Sequence, residues 1–196
     1  MRSFRWSSLP KVTIVLIGLN VLFFLYLTLT GSSLNTGFMV EKGALYAPAI
    51  LQEHEYYRLI TSMFMHFGFE HLFFNMLLLY FLGDILEREL GGVIFCFSYL
   101  VTGLVGNVAS LIYYAVKASY VVSAGASGAV FGLVGLVGYM VYAHRGYFRG
   151  ISSHQIIMMV VFTLYNGFTG GGVNNTAHIF GLLSGILCGM VFYRGE

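Results

Sequence analysis

Residues 150–193 read GISSHQIIMMVVFTLYNGFTGGGVNNTAHIFGLLSGILCGMVFY, without one Asp, Glu, Lys or Arg. About 20 apolar residues cross a bilayer as a helix, so this stretch has the length of two spans. It breaks at 167–175, where Gly170-Gly171-Gly172 and Asn174-Asn175 interrupt the apolar pattern. One span is therefore expected near 151–166 and another near 176–193. The whole chain has the same character: its 196 residues are 58% hydrophobic and 9% charged, whereas soluble domains carry about 25% charged residues. Eighteen charged side chains (ten basic, eight acidic) are too few to cover a soluble fold or to keep a chain disordered. A net charge of +2 offers no basic face for nucleic acid. The expected class is an all-α membrane protein with room for about six spans.

Working outward, the scarce charges punctuate the chain. Arg2, Arg5 and Lys11 precede an uncharged run at 12–30. That run is too long for the apolar core of a signal peptide, so it reads as the first span. The connection 31–61 mixes Glu41, Lys42, Glu53, Glu55 and Arg58 with Tyr46, Tyr56 and Tyr57, a composition suited to lying against the membrane. Further spans are expected at 63–83, 93–115 and 126–143. A charged turn at Asp84, Glu87, Arg88 and Glu89 follows the first of these, and the basic turn of His144, Arg145 and Arg149 follows the last. Six spans place Arg2, Arg5, Lys11, Arg88, Arg145, Arg149 and Arg194 on one side and Lys42, Arg58 and Lys117 on the other. The richer side is cytoplasmic by the positive-inside rule, with both termini there.

Polar residues that enter spans mark function. His66, Glu70, His71 and Asn75 lie in the second expected span, Ser127 in the fourth and His178 in the sixth. These three spans run in the same direction and carry their polar groups near their starts, so the groups share one shallow layer below the outer face. His71 and Asn75, four apart, share a helix face; His66 and His71, five apart, would point about 140° apart on a helix. Ser127 sits among small neighbours in Gly125-Ala126-Ser127-Gly128, at a helix start whose free N–H groups suit a developing oxyanion. Gly181, Gly185 and Gly189 recur every four residues near His178, and Gly128 and Gly132 do so after Ser127. Such stripes let helices approach closely and would bring His178 beside Ser127 as its base. No carboxylate lies near His178 in the sequence, so the pair reads as a dyad. Cys96 and Cys188, both in apolar runs, read as packing residues.

Taken together, Gly125-Ala126-Ser127-Gly128, Ala177-His178-x-x-Gly181-x-x-x-Gly185 and His66-x-x-x-x-His71-x-x-x-Asn75 resemble the rhomboid family of intramembrane serine proteases in its bacterial six-span form. Tyr57-Arg58 looks like the family's Trp-Arg pair, and Gly83, Glu87 and Gly91 like its turn after the second span. The resemblance implies Ser127 as nucleophile and His178 as base. His71, Asn75 and the Ser127 N–H would form the oxyanion hole. Gly125, Gly128, Phe131 and Gly181 would shape the site, and 168–175 would form a mobile cap. It implies neither metal nor cofactor, and as partners single-span membrane proteins and the lipid bilayer. The expected location is a bacterial plasma membrane, with the site opening to the outer face. Phe131 stands where many members carry a Tyr that stacks on the histidine, Tyr57 replaces the usual Trp, and Glu89 stands where a basic residue is common.

Three other readings compete. A small transporter or channel would need polar groups at several depths, and here they form one layer. A metalloprotease would need H-E-x-x-H spacing, which His66-Phe67-Gly68-Phe69-Glu70-His71 lacks. An inactive rhomboid-like binding protein would lack the serine or the histidine, and both are present.

Overall fold

The computed structural model describes residues 9–170 and 173–195. The Arg2 and Arg5 flank and the Gly171-Gly172 part of the expected interruption lie outside them. The described chain is predominantly helical, with six long helices: α1 (Lys11–Thr30), α5 (Gly68–Leu90), α6 (Gly92–Val116), α7 (Ser127–Ala143), α8 (Ser153–Gly170) and α9 (Asn175–Phe192). Three short helices, α2 (Thr36–Glu41), α3 (Ala47–Gln52) and α4 (Arg58–Thr61), fill the first connection. Among the described residues, α1, α5, α6 and α9 are long and apolar enough to cross a membrane; α7 is apolar but 17 residues long.

Helix α1 is apolar all round and exposes Leu19, Leu22, Leu25 and Leu29, the pattern of a helix in lipid. It buries only Thr13, Leu16, Asn20 and Leu27, one narrow stripe. Its N-terminus is held from a distance. The Glu87 carboxylate accepts hydrogen bonds from the Val12 N–H (2.9 Å), the Thr13 N–H (2.8 Å) and the Thr13 hydroxyl (2.8 Å). A carboxylate there satisfies free amide donors and faces the positive end of the helix. Glu87→Ala strips three donors of their acceptor and is expected to cost about 2–4 kcal/mol. A thermal melt in detergent checks this, with Glu87→Gln falling between mutant and wild type.

Glu87 also explains a correction. The charged residues 84–89 do not form a turn; α5 continues through them to Leu90. Asp84 and Arg88 pair across one turn at 2.7 Å, and Glu89 pairs with Arg149 of the next connection but one. The chain then reverses at Gly91, whose φ of +80° suits only glycine. The start of α5 is also later than expected. Residues 62–64 form a single 3-10 turn, and the helix begins at Gly68.

The fold is not helical throughout. Leu45–Tyr46 (β1) pairs antiparallel with Val122–Ser123 (β2), and Tyr147–Phe148 (β3) with Ile151–Ser152 (β4). The first pairing ties the connection before α5 to the segment that leads into α7. Arg58 is buried beneath it, ion-paired with Glu55 and donating to the carbonyls of Val40 and Ala44. The Tyr57 ring lies 5.5 Å from its guanidinium carbon.

Helix α7 is the hub. Twelve of its 17 residues are buried, because α5, α6 and α9 surround it. The glycine stripes of α7 and α9 meet. A Cβ on Gly181 would fall on the carbonyl of Gly128, and one on Gly185 on the carbonyl of Gly132. Gly106 of α6 approaches α9 as well: an added Cβ there would lie 2.8 Å from the Ala177 carbonyl oxygen. Backbone contact of this kind replaces the hydrophobic effect, which cannot drive association between helices in lipid.

Candidate active site

Ser127 is the first residue of α7 and is half-buried. The amides of Ser127 and Gly128 sit at the open end of the helix, where no acceptor exists four residues earlier. The turn before them is held by residues from elsewhere in the chain. The Gly125 N–H donates to the Ser62 carbonyl at 2.9 Å, and the Ala126 N–H to His66 Nε2 at 3.3 Å. Asn107 of α6 fixes Ser62 in turn, donating to the Leu59 carbonyl at 2.9 Å and to Ser62 Oγ at 3.0 Å. This chain of bonds aims the start of α7.

Gly125 has φ +148°, a value that side chains resist. A Cβ there would lie 2.7 Å from His71 Cε1, 2.9 Å from His71 Nε2 and 3.6 Å from Ser127 Oγ. The absent side chain therefore makes room for the His71 imidazole on the same side as the serine hydroxyl. Asn75, one turn further along α5, is buried and returns one amide hydrogen to the His71 carbonyl at 2.8 Å. An amide carries two such hydrogens, so one remains for another acceptor.

His178 lies in the first turn of α9 and is buried. Its ring is parallel to that of Phe131, with 4.2 Å between centroids and 1° between planes. Phe131 is one helical turn after Ser127 on the same face of α7, so the stack seats the imidazole next to the serine's turn. Gly181 against Gly128 sets the depth of that approach. Neither ring nitrogen of His178 has a hydrogen-bond partner among the described residues, Ser127 and the carboxylates included. Asn174 caps α9: its Oδ1 accepts from the Ala177 N–H and the Ser110 hydroxyl, both at 3.0 Å, and its amide donates to Ser123 Oγ at 3.0 Å.

The residues singled out in the sequence thus converge: Ser127, His71 and Gly125 around one turn, Asn75 below His71, and His178 on Phe131. His66 behaves differently from the helical-wheel expectation. It precedes α5, and its ring meets His71 edge-on with centroids 5.1 Å apart. Sequence reasoning missed its part in holding Ala126, along with Ser62, Asn107 and Asn174. Only the burial of an amide in an apolar run hinted at Asn107, which is the sort of residue that must find partners inside a bundle.

A bundle of long apolar helices with a serine and a histidine seated on abutting glycine stripes defines an integral membrane protein with a buried polar site. The rhomboid domain profile matches residues 53–195, and the chain belongs to the rhomboid family. It is 35% identical over 176 residues to "Rhomboid protease GluP" of Bacillus subtilis (strain 168), covering 90% of this chain and 34% of that protein. It is 36% identical over 133 residues to "Putative rhomboid protease YdcA" of the same organism, covering 68% of this chain and 65% of that one. "RHOMBOID-like protein 1" of Arabidopsis thaliana is 35% identical over 158 residues, covering 78% of this chain and 38% of that protein. The chain therefore spans about a third of the first relative's length and just under two thirds of the second's.

Proposed function

We propose that the chain is an intramembrane serine endopeptidase that cleaves single-span membrane proteins near the outer membrane face. Helices α1, α5, α6, α7, α8 and α9 are its six spans, with both termini cytoplasmic in a bacterial plasma membrane. The reading is carried by one observation: His178 stacked on Phe131, one turn below Ser127, with Gly181 against the Gly128 carbonyl.

In this mechanism the Ser127 hydroxyl, turned toward the ring, gives its proton to His178 as the oxygen attacks the scissile carbonyl. The oxygen of the tetrahedral intermediate takes hydrogen bonds from the Ser127 N–H, the His71 ring and the remaining Asn75 amide hydrogen. His178 then protonates the leaving amine, and water releases the acyl group by the same route in reverse. Hydrolysis needs water, and a hydrocarbon core has none. Polar groups close to the outer face meet that need by supporting a shallow wet cavity. A helical substrate must unwind there to present its peptide bond.

A fluorophosphonate probe tests this directly. Wild-type protein is expected to label at Ser127, Ser127→Ala not at all, and His178→Ala about a hundredfold or more slowly. Labelling of Ser127→Ala at the wild-type rate would overturn the proposal.

A further inference from the structure

Between the second half of α7, the first half of α8 and the second half of α9 lies a cleft of about 470 Å3. Val, Leu, Ile, Met and Gly line it, together with Tyr139 and Tyr142. At its floor, Gly138 leaves room: an added Cβ would meet only Ile156 Cγ2, at 3.6 Å. On the α8 side, Ile157 and Val161 stand exposed. The lining runs from Val134 to Tyr142 on α7, about 12 Å at 1.5 Å per residue. The apolar lining and length of the cleft suit a stretch of hydrocarbon chain.

The residues at and just after the α7 end of the cleft point to an occupant. Tyr142 is exposed at one end of the cleft, in the manner of interfacial aromatics. Arg145 follows three residues later, exposed and with no acidic partner among the described residues. Arg149, the other arginine of that turn, is engaged by Glu89. An apolar slot whose last α7 residue is Tyr142, three positions before an exposed arginine, suits an amphiphile with a hydrocarbon tail and an anionic head.

We propose that this cleft binds one anionic phospholipid, an acyl chain lying between α7, α8 and α9 and its phosphate facing Arg145. The proposal rests on reading these helices as spans and does not depend on proteolysis. In the test, full-length protein in detergent is mixed with equal amounts of phosphatidylglycerol and phosphatidylcholine, and retained lipid is counted by native mass spectrometry. One phosphatidylglycerol per chain is expected, preferred about fivefold. Arg145→Gln keeps a bound lipid and loses the preference. Gly138→Leu fills the slot and lowers retention about tenfold.

Should Gly138→Leu not fold, a single Trp at Ile157, in a Trp6→Phe background, answers the same question. Phosphatidylglycerol brominated on its chain should quench it at about fivefold lower mole fraction than a Trp at Leu22, which is exposed on α1. Equal retention of the two lipids, undiminished retention by folded Gly138→Leu, or equal quenching at the two positions overturns the proposal. An inactive chain that retains phosphatidylglycerol leaves it standing, and an active chain that retains none overturns it alone.

Discussion

Ser127→Ala and His178→Ala are each expected to lower cleavage of a co-expressed single-span reporter by at least about a thousandfold, some 4 kcal/mol of transition-state stabilisation. The size follows from the division of labour. A serine hydroxyl is a weak nucleophile until a base takes its proton, and in the proposed mechanism that base is His178, which the Phe131 stack and the Gly128–Gly181 contact hold in place. Without the oxygen there is no acyl intermediate; without the ring the oxygen stays protonated. Because the two act as one unit, the double variant should be no worse than the worse single one. The melt of Ser127→Ala should stay near wild type, since Ser127 is half-buried, whereas His178→Ala removes a buried ring stacked on Phe131 and should melt somewhat lower. Equal cleavage by all forms would sink the assignment. Activity that survives both changes but disappears with a chelator would point to metal chemistry instead.

The second large effect concerns stability. Gly185→Val places a side chain where the Gly132 carbonyl already lies. Most overpacked sites relieve strain by moving a neighbouring side chain, at about 1–3 kcal/mol. Here the obstacle is backbone inside the buried helix α7, so the two helices must part along their length. A loss of about 3 kcal/mol or more is expected, seen as a lowered melting temperature in detergent together with lost activity. Gly18→Val on α1 is the control: nothing lies within 4 Å of an added Cβ there, so it should leave both melt and activity within error. A Gly185→Val protein that melts like wild type would show that the α7–α9 contact is looser than described.

How much of this was legible beforehand differs by residue. The glycine stripes were readable because a four-residue repeat is a local property of one helix, and their meeting required only that α7 and α9 be neighbours. Phe131 was readable as a ring replacing a ring, and it stacks as a ring does. The end of α5 was not readable. Asp84, Glu87, Arg88 and Glu89 look like a solvated turn until Glu87 is seen to hold the start of α1, some 75 residues away. His66 was misread for a related reason: its direction was deduced from a helix that begins two residues after it. The pairing of β1 with β2 joins two-residue segments 77 positions apart, too short for any periodic signal.

The sequence by itself determined the membrane class, the approximate places of the long helices and the polar residues that gather around the start of α7. Each of these follows from hydrophobicity and charge summed over one segment, which the bilayer reads locally. Tertiary structure alone decided where α5 starts and stops, which donors hold the turn before Ser127, and how His178 is oriented. Those depend on hydrogen bonds and ring contacts between residues tens of positions apart, whose geometry is settled only when helices pack and their buried polar groups must find partners.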